Sequence, residues 1–374
     1  MANWVDTAFE RAASKFARGA KLAAQQGIIP YKSEGGRYVP SPFDGNSWWT
    51  GGFWPGIMWQ LYHATGEAVY KTEALRVEEL LTRELMTFDL LNHDVGFMYM
   101  LSTGAHHRLT GDEAARTNTL HAASLLMGRF NPEGFIRAWP GKERAGYAII
   151  DCMMNLTLLY WASRQTGDPR YDKVARIHAD TTMREFLRED GSSCHIVVFD
   201  PETGKALERP RGQGYAEGSS WSRGQAWALY GFTLAGLNLG ESKYIDAARR
   251  CARYFMAHIR EDGLTDSDFC QPEGEERIDN IAGACAACGL LELADAVGGE
   301  EAETYRAAAE KLLRALDTLC ADWSEEAPGI LQKCTASYHD DGAGRHVNIL
   351  YGDYFFVEAL CKLRGTDARL WMKD

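Results

Sequence analysis

Two kinds of apolar pattern alternate along the chain. One kind is apolar nearly all the way round a helix, at about 48–64, 94–109, 149–165, 221–238, 279–297 and 351–363. The other keeps its apolar residues on one face and charges the rest, at about 67–88, 112–130, 169–188, 242–259 and 301–320. Residues 2–25 supply a sixth segment of this second kind, with Phe9, Ala13, Phe16 and Ala20 at helical spacing. Helices apolar all round belong inside a protein, and one-sided helices outside. Glycines punctuate the alternation. Gly66, Gly111, Gly167, Gly240, Gly299 and Gly365 each follow an all-round helix, and an acidic residue comes close behind. Glycine past the last turn stops a helix, and an acid suits the start of the next. Intervals of 45 to 73 residues between these glycines fit a helical hairpin plus its connection. The pattern predicts an all-α fold, an (α/α)6 toroid of six inner and six outer helices, forming one domain over residues 1–374. Only "SCHIVVFD" at 193–200 has a strand-like pattern.

The inner-to-outer turns are short, whereas the outer-to-inner connections at 26–47, 131–148, 188–220, 259–278 and 321–350 are long. All inner helices then begin under long loops at one rim, the mouth of a cup where binding residues concentrate. The first inner helix brings Trp48, Trp49, Phe53 and Trp54; the second His93, Asp94 and Phe97; the third Trp139, Arg144 and Asp151. The fourth brings His195, Gln213, Trp221, Arg223 and Trp227, and the sixth Tyr338, His339, Arg345, His346 and Asp353. Flat aromatics interleaved with acids and amides suit a saccharide, whose rings have apolar faces and polar edges.

Asp94 and Asp151 open neighbouring inner helices and so reach the cup together. Helix dipoles favour their ionisation, while burial and a nearby second carboxylate favour retaining one proton. One ionised and one protonated acid in a shared site is the arrangement that general acid–base chemistry needs. The plainer alternative for Asp94 is a helix cap. It fits Asp151 less well, since Asp151 follows "AII" inside an apolar run. Arg223 lies between Trp221 and Trp227, where an anionic ligand would give it a reason to enter a barrel.

Composition narrows the partners. A formal charge of −12 argues against nucleic acid and anionic membrane, though not against a small anionic substrate in a locally basic site. The first residues lack the apolar stretch of a signal peptide, and no uncharged run reaches the roughly 18 residues that span a bilayer. Nine scattered cysteines, several in apolar helical context (Cys152, Cys251, Cys285, Cys361), fit reduced core residues of a cytoplasmic protein. The "CAAC" at 285–288 has no second pair to complete a metal site, and no paired-histidine spacing accompanies His93 and His195. No metal or cofactor is expected. The chain is expected to act as a monomer or weak homo-oligomer.

With "WTGGFWPGIMW", "NHDVGFMY", "IIDCMMNLTLLYWASRQTGDPRY", "GSSWSRGQAWALYGF" and "YGDYFFVEAL", the chain resembles the unsaturated glucuronyl hydrolases of glycoside hydrolase family 88. The resemblance runs in order from Trp4 to about Leu363 and implies the same toroid. It implies release of a 4,5-unsaturated uronic acid from the non-reducing end of oligosaccharides left by polysaccharide lyases. The family hydrates the enol-ether double bond, adding a proton at C4 and water at C5, rather than attacking the anomeric carbon. Its acid–base aspartate matches Asp151, and its partner carboxylate matches Asp94, with His93 beside it. The resemblance further implies that His195, Gln213 and Arg223 hold the unsaturated sugar. Trp49, Phe53, Phe97, Trp139, Trp221, Trp227 and Tyr338 would form aromatic walls. Relatives that prefer sulfated fragments carry a serine- and lysine-containing loop before the last inner helix. Here that loop reads "SYHDDGAGRHVNILYGD", in which Asp340 and Asp341 oppose a sulfate, and Arg345 and His346 offset them.

Two other reactions compete. An unsaturated rhamnogalacturonyl hydrolase of pectin degradation shares fold and chemistry but favours "RGNGW" where this chain has "RGQAW". A sugar 2-epimerase on a similar toroid uses paired histidines, whereas this cup offers paired acids.

Overall fold

The expected alternation is realised as a closed ring of helices. The computed structural model describes residues 3–43, 45–87, 90–342 and 344–373. The inner helices are Phe53–Thr65, a second built from Val95–Tyr99 and Ala105–Thr110, a third built from Cys152–Asn155 and Thr157–Thr166, then Ser222–Leu239, Asn280–Val297 and Leu350–Arg364. Each packs on the next, and the sixth packs on the first. The outer helices are Trp4–Gln26, Ala68–Glu84, Glu113–Gly128, Pro169–Glu185, Ser242–Ala257 and Gly299–Ala315. The expected ends at residues 2 and 88 lie outside the described residues.

Local chemistry explains the turns. Gly66, Gly111, Gly167, Gly240 and Gly365 end their helices in the left-handed conformation that a side chain would strain. The fifth turn departs from expectation: Gly298, with φ 68° and ψ −178°, ends the fifth inner helix, and Gly299 already begins the next. Asp112 and Asp168 cap the third and fourth outer helices through the amides of Ala115 and Arg170, at 2.8 and 2.9 Å.

Irregularity concentrates in the two inner helices that carry the acids. A π turn at Met100–Gly104 interrupts the second, where Ser102 and Thr103 hydroxyls donate back to the carbonyls of Met98 and Tyr99. The third breaks at Leu156, where the Thr157 hydroxyl donates to the Met154 carbonyl at 2.8 Å. Such back-bonding competes with the helical ladder.

Short strands, unseen in the sequence apart from Ile196–Phe199, tie the long loops into one rim. Lys32–Glu34 pairs with Arg37–Val39 and Asn348–Ile349, joining the loops before the first and sixth inner helices. Ile196–Phe199 pairs with Tyr147–Ile149 and Ala206–Glu208, joining those before the third and fourth. Residues 366–373 cross the opposite, glycine-tipped end. There Trp371 is buried against Phe355 and Phe97 and donates to Glu358 at 2.9 Å.

One apolar cluster runs from Val5 to Met372. By length and composition alone the helix Asn280–Val297 passes as a membrane span, although it holds Glu292 and Asp295; 83% of it is buried inside the ring. All nine cysteines are free, and every one except Cys270 is buried, including the pair Cys285 and Cys288.

Candidate active site

Asp94 and Asp151 occupy the cap positions of two inner helices in contact, yet neither side chain caps its helix. The plain capping alternative therefore fails for both. The Asp94 amide is held instead by Asn92 Oδ1 at 2.7 Å. The Asp94 carboxyl is buried, and Asp151 is largely so, its side chain 13% exposed.

Asn155 joins them. Its Nδ2 donates to Asp94 Oδ1 at 3.1 Å and to the Asp151 carbonyl at 3.2 Å, while its Oδ1 accepts from the Phe97 amide at 2.7 Å. The contact is so close that a Cβ on Gly96 would lie 2.5 Å from the Asn155 Cα, which reserves that position for glycine.

Burial pushes the Asp94 carboxyl well above the usual carboxylate range, and the charge of Asp151 pushes it further. The Asn155 hydrogen bond and the Arg129 guanidinium pull it back. Burial raises Asp151 to about 7 against the opposing charge of Arg223. Two acids that feel each other titrate as a pair, so the site holds a proton into the neutral range.

Two histidines flank the acids. The Gln213 amide donates to His195 Nδ1 at 2.9 Å, and burial drives this imidazole down to about 3, so the neutral ring carries its hydrogen on Nε2. That nitrogen stands 3.8 Å from Asp151 Oδ1. His93 Nε2 stands 3.3 Å from Asp94 Oδ1, and burial holds this ring neutral as well. Among the described residues, no three His, Cys, Asp or Glu side chains gather as metal ligands.

Arg223 departs from expectation. Its guanidinium is buried and already paired with Asp279 at 2.5 Å. It also donates to the carbonyls of Thr335 and Ala336 at 2.8 and 2.6 Å and stacks over Trp221. Its reason to enter the barrel is thus a buried aspartate, which the sequence reading missed. Its charge still reaches Asp151.

The aromatic residues divide by depth. Phe53, Phe97 and Trp227 are at most 1% exposed and pack on one another and on Phe355, so they form the floor beneath the acids rather than a wall. Trp221 is buried against His195, with ring centroids 4.4 Å apart. Tyr338 is buried too, its hydroxyl donating to Glu275 at 2.7 Å. Trp49 and Trp139 remain half-buried and accessible.

A cavity of about 390 Å³ opens beside this group, lined by Trp48, Trp49, Gln213, Asp340 and Tyr351 among others. That volume suits a sugar unit. Gln213 links it to His195, and Trp49 links it to Phe97. The Gln213 side chain itself donates to the Ala336 carbonyl at 2.6 Å. Asp341 and Arg277 form an ion pair at 2.7 Å, and His346 Nε2 accepts from the Ile278 amide at 3.1 Å. His346 therefore fastens the loop.

Sequence reasoning passed over Asn155 and Asn92, although each is a polar residue close to an acid. Asn155 lies four positions after Asp151, on the same helical face, within an otherwise apolar run.

The family described as Glycosyl Hydrolase Family 88 matches residues 31–337. An unsaturated glucuronyl hydrolase of Bacillus sp. strain GL1 is 40% identical over 354 residues, covering 92% of this chain and 93% of that protein. The crystal structure of unsaturated glucuronyl hydrolase from Bacillus sp. GL1, described as responsible for glycosaminoglycan degradation, superposes with a TM-score of 0.91. It is 36% identical and covers 99% of both chains. A Streptococcus agalactiae unsaturated glucuronyl hydrolase, an aspartate-to-asparagine mutant complexed with dGlcA-GalNAc6S, superposes at 0.82. It is 30% identical and covers 96% of this chain and 91% of that one.

Proposed function

Because this chain belongs to Glycosyl Hydrolase Family 88 and is a glycoside hydrolase, we propose that its acid pair releases a 4,5-unsaturated uronic acid from the non-reducing end of lyase-generated glycosaminoglycan-type oligosaccharides. One observation carries the reading: two acids in cap positions on neighbouring inner helices cap nothing, and burial raises both carboxyls.

Asp151 gives its proton to C4 of the enol ether. Positive charge develops at C5 and the ring oxygen, where the Asp94 carboxylate stabilises it. Asp151, now a carboxylate, takes a proton from the water that adds to C5, and so returns to its starting state. The hemiketal opens to a ketone at C5, and the hemiacetal left at C1 expels the leaving sugar. Net consumption is one water. A pKa of about 7 lets Asp151 act as acid and then base near neutral pH. His195 Nε2–H stands beside it as a neutral donor. Trp49, Trp139 and the 390 Å³ cavity supply surfaces for the sugars.

The closed ring of inner and outer helices supports a single catalytic domain. Nine free cysteines support a reducing, cytoplasmic setting. The test is direct. The conjugated uronate absorbs in the ultraviolet, and purified protein should bleach an unsaturated disaccharide produced by a lyase. Persistence of the band under saturating enzyme would reject the function.

A further inference from the structure

We propose that Asn155 is the positioning residue that decides which acid bears the charge, holding Asp94 as the carboxylate and leaving the shared proton on Asp151. The proposal rests on the hydration reading above.

The amide cannot turn over. Its Oδ1 is fixed by the Phe97 N–H at 2.7 Å, so Nδ2 must face Asp94. A flip would set Nδ2 against that N–H and Oδ1 against two oxygens. Asn155 is fully buried, and the close approach of Gly96 leaves it no room to shift. Asp94 Oδ1 thus receives Asn155 Nδ2 at 3.1 Å and lies 3.3 Å from His93 Nε2. Asp151 Oδ1 is buried with no hydrogen-bond partner among the described residues, and His195 Nε2 stands 3.8 Å from it. Charge settles on the oxygen that a fixed donor meets, here Asn155 Nδ2, and a proton settles on one that lacks a donor.

Burial and the charge of Asp151 work against a charged Asp94, and the hydrogen bond from Asn155, with the Arg129 guanidinium, is what opposes them. Arg129 acts on Asp94; Arg223 acts on Asp151 but is already paired with Asp279. The Cys152 thiol is pushed well up by burial and by both acids and stays neutral. His93, His178 and His195 are neutral through burial. Asn155 also grips the Asp151 carbonyl, so one side chain sets both the distance and the polarity of the pair.

Two variants test this. Asn155→Ala removes the donor. Asn155→Asp keeps the shape and an acceptor for the Phe97 N–H but replaces Nδ2 with oxygen. The two limbs of the kcat profile belong to the pair; on this proposal the acid limb follows the charge on Asp94 and the basic limb the proton on Asp151. Both variants should raise the acid limb by about one pH unit, roughly a tenfold rate loss at a fixed pH below it. The basic limb should stay, with KM changed less than about threefold. A merely structural residue would lower kcat without moving a limb. An unmoved acid limb in a folded variant, or a rise of the basic limb instead, overturns the assignment. An infrared titration reads the same point without substrate or turnover: in difference spectra against wild type at pH 6, Asp151→Asn should lose one protonated-carboxyl component that Asp94→Asn keeps. The opposite result overturns the proposal. An inactive wild type that passes this titration would reject the proposed function alone.

Discussion

Arg223 and Asp279 form an ion pair of 2.5 Å with side chains 1% and 0% exposed. A pair so deeply buried is costly to break, because the partner left behind is an uncompensated charge. Arg223→Ala should therefore destabilise the fold by about 3–5 kcal/mol, and Asp279→Ala by a similar amount. Denaturant midpoints check both. A loss of activity in Arg223→Ala with an unchanged midpoint would show that the arginine serves the ligand and not the fold.

Asp151 should lower stability in the service of chemistry. Its folded-state value of about 7 lies above the ordinary 3.8. The folded state thus keeps a proton that the unfolded chain has released, and the stability this provides is lost as pH rises from about 4 to about 7. Asp151→Asn has no proton to lose. Its advantage over wild type should grow across that window, reach the order of a few kcal/mol, and stay flat above it. Thermal scans from pH 4 to 8 check this, and an advantage that shrinks with pH would contradict it.

Asp340 lines the 390 Å³ cavity, whereas Asp341 is engaged by Arg277. A sulfate on the second sugar would meet the Asp340 carboxylate. Unsulfated unsaturated disaccharides should therefore show kcat/KM about fivefold above sulfated ones, and Asp340→Asn should narrow the gap. A panel of chondroitin- and hyaluronan-derived disaccharides measures it.

Much of the ring is written locally. All-round apolar helices, glycine stops and acids at the next helix start are patterns within a few residues, and they placed Asp94 and Asp151 on adjacent inner helices. What escaped is non-local. Asp279 lies 56 residues from Arg223, and nothing near either one announces the other. The strand Asn348–Ile349 exists because Lys32–Glu34 lies beside it, more than 300 residues away in sequence. Periodicity also gives the direction of a side chain without its depth, so Phe53, Phe97 and Trp227 read as walls although they form the floor. Asn155 was the readable omission, since a lone amide in an apolar turn needs partners.

The central claim is that Asp151 protonates a carbon of the unsaturated ring. Single-turnover reaction in deuterium oxide, quenched early and followed by NMR, tests it most directly. The account predicts one stereospecific deuteron at C4 of the released uronate and loss of the ultraviolet band in step with release of the second sugar. It also predicts that Asp151→Asn, folded as wild type, shows neither. Release of the second sugar with the C4=C5 bond intact and no deuterium at C4 would contradict it.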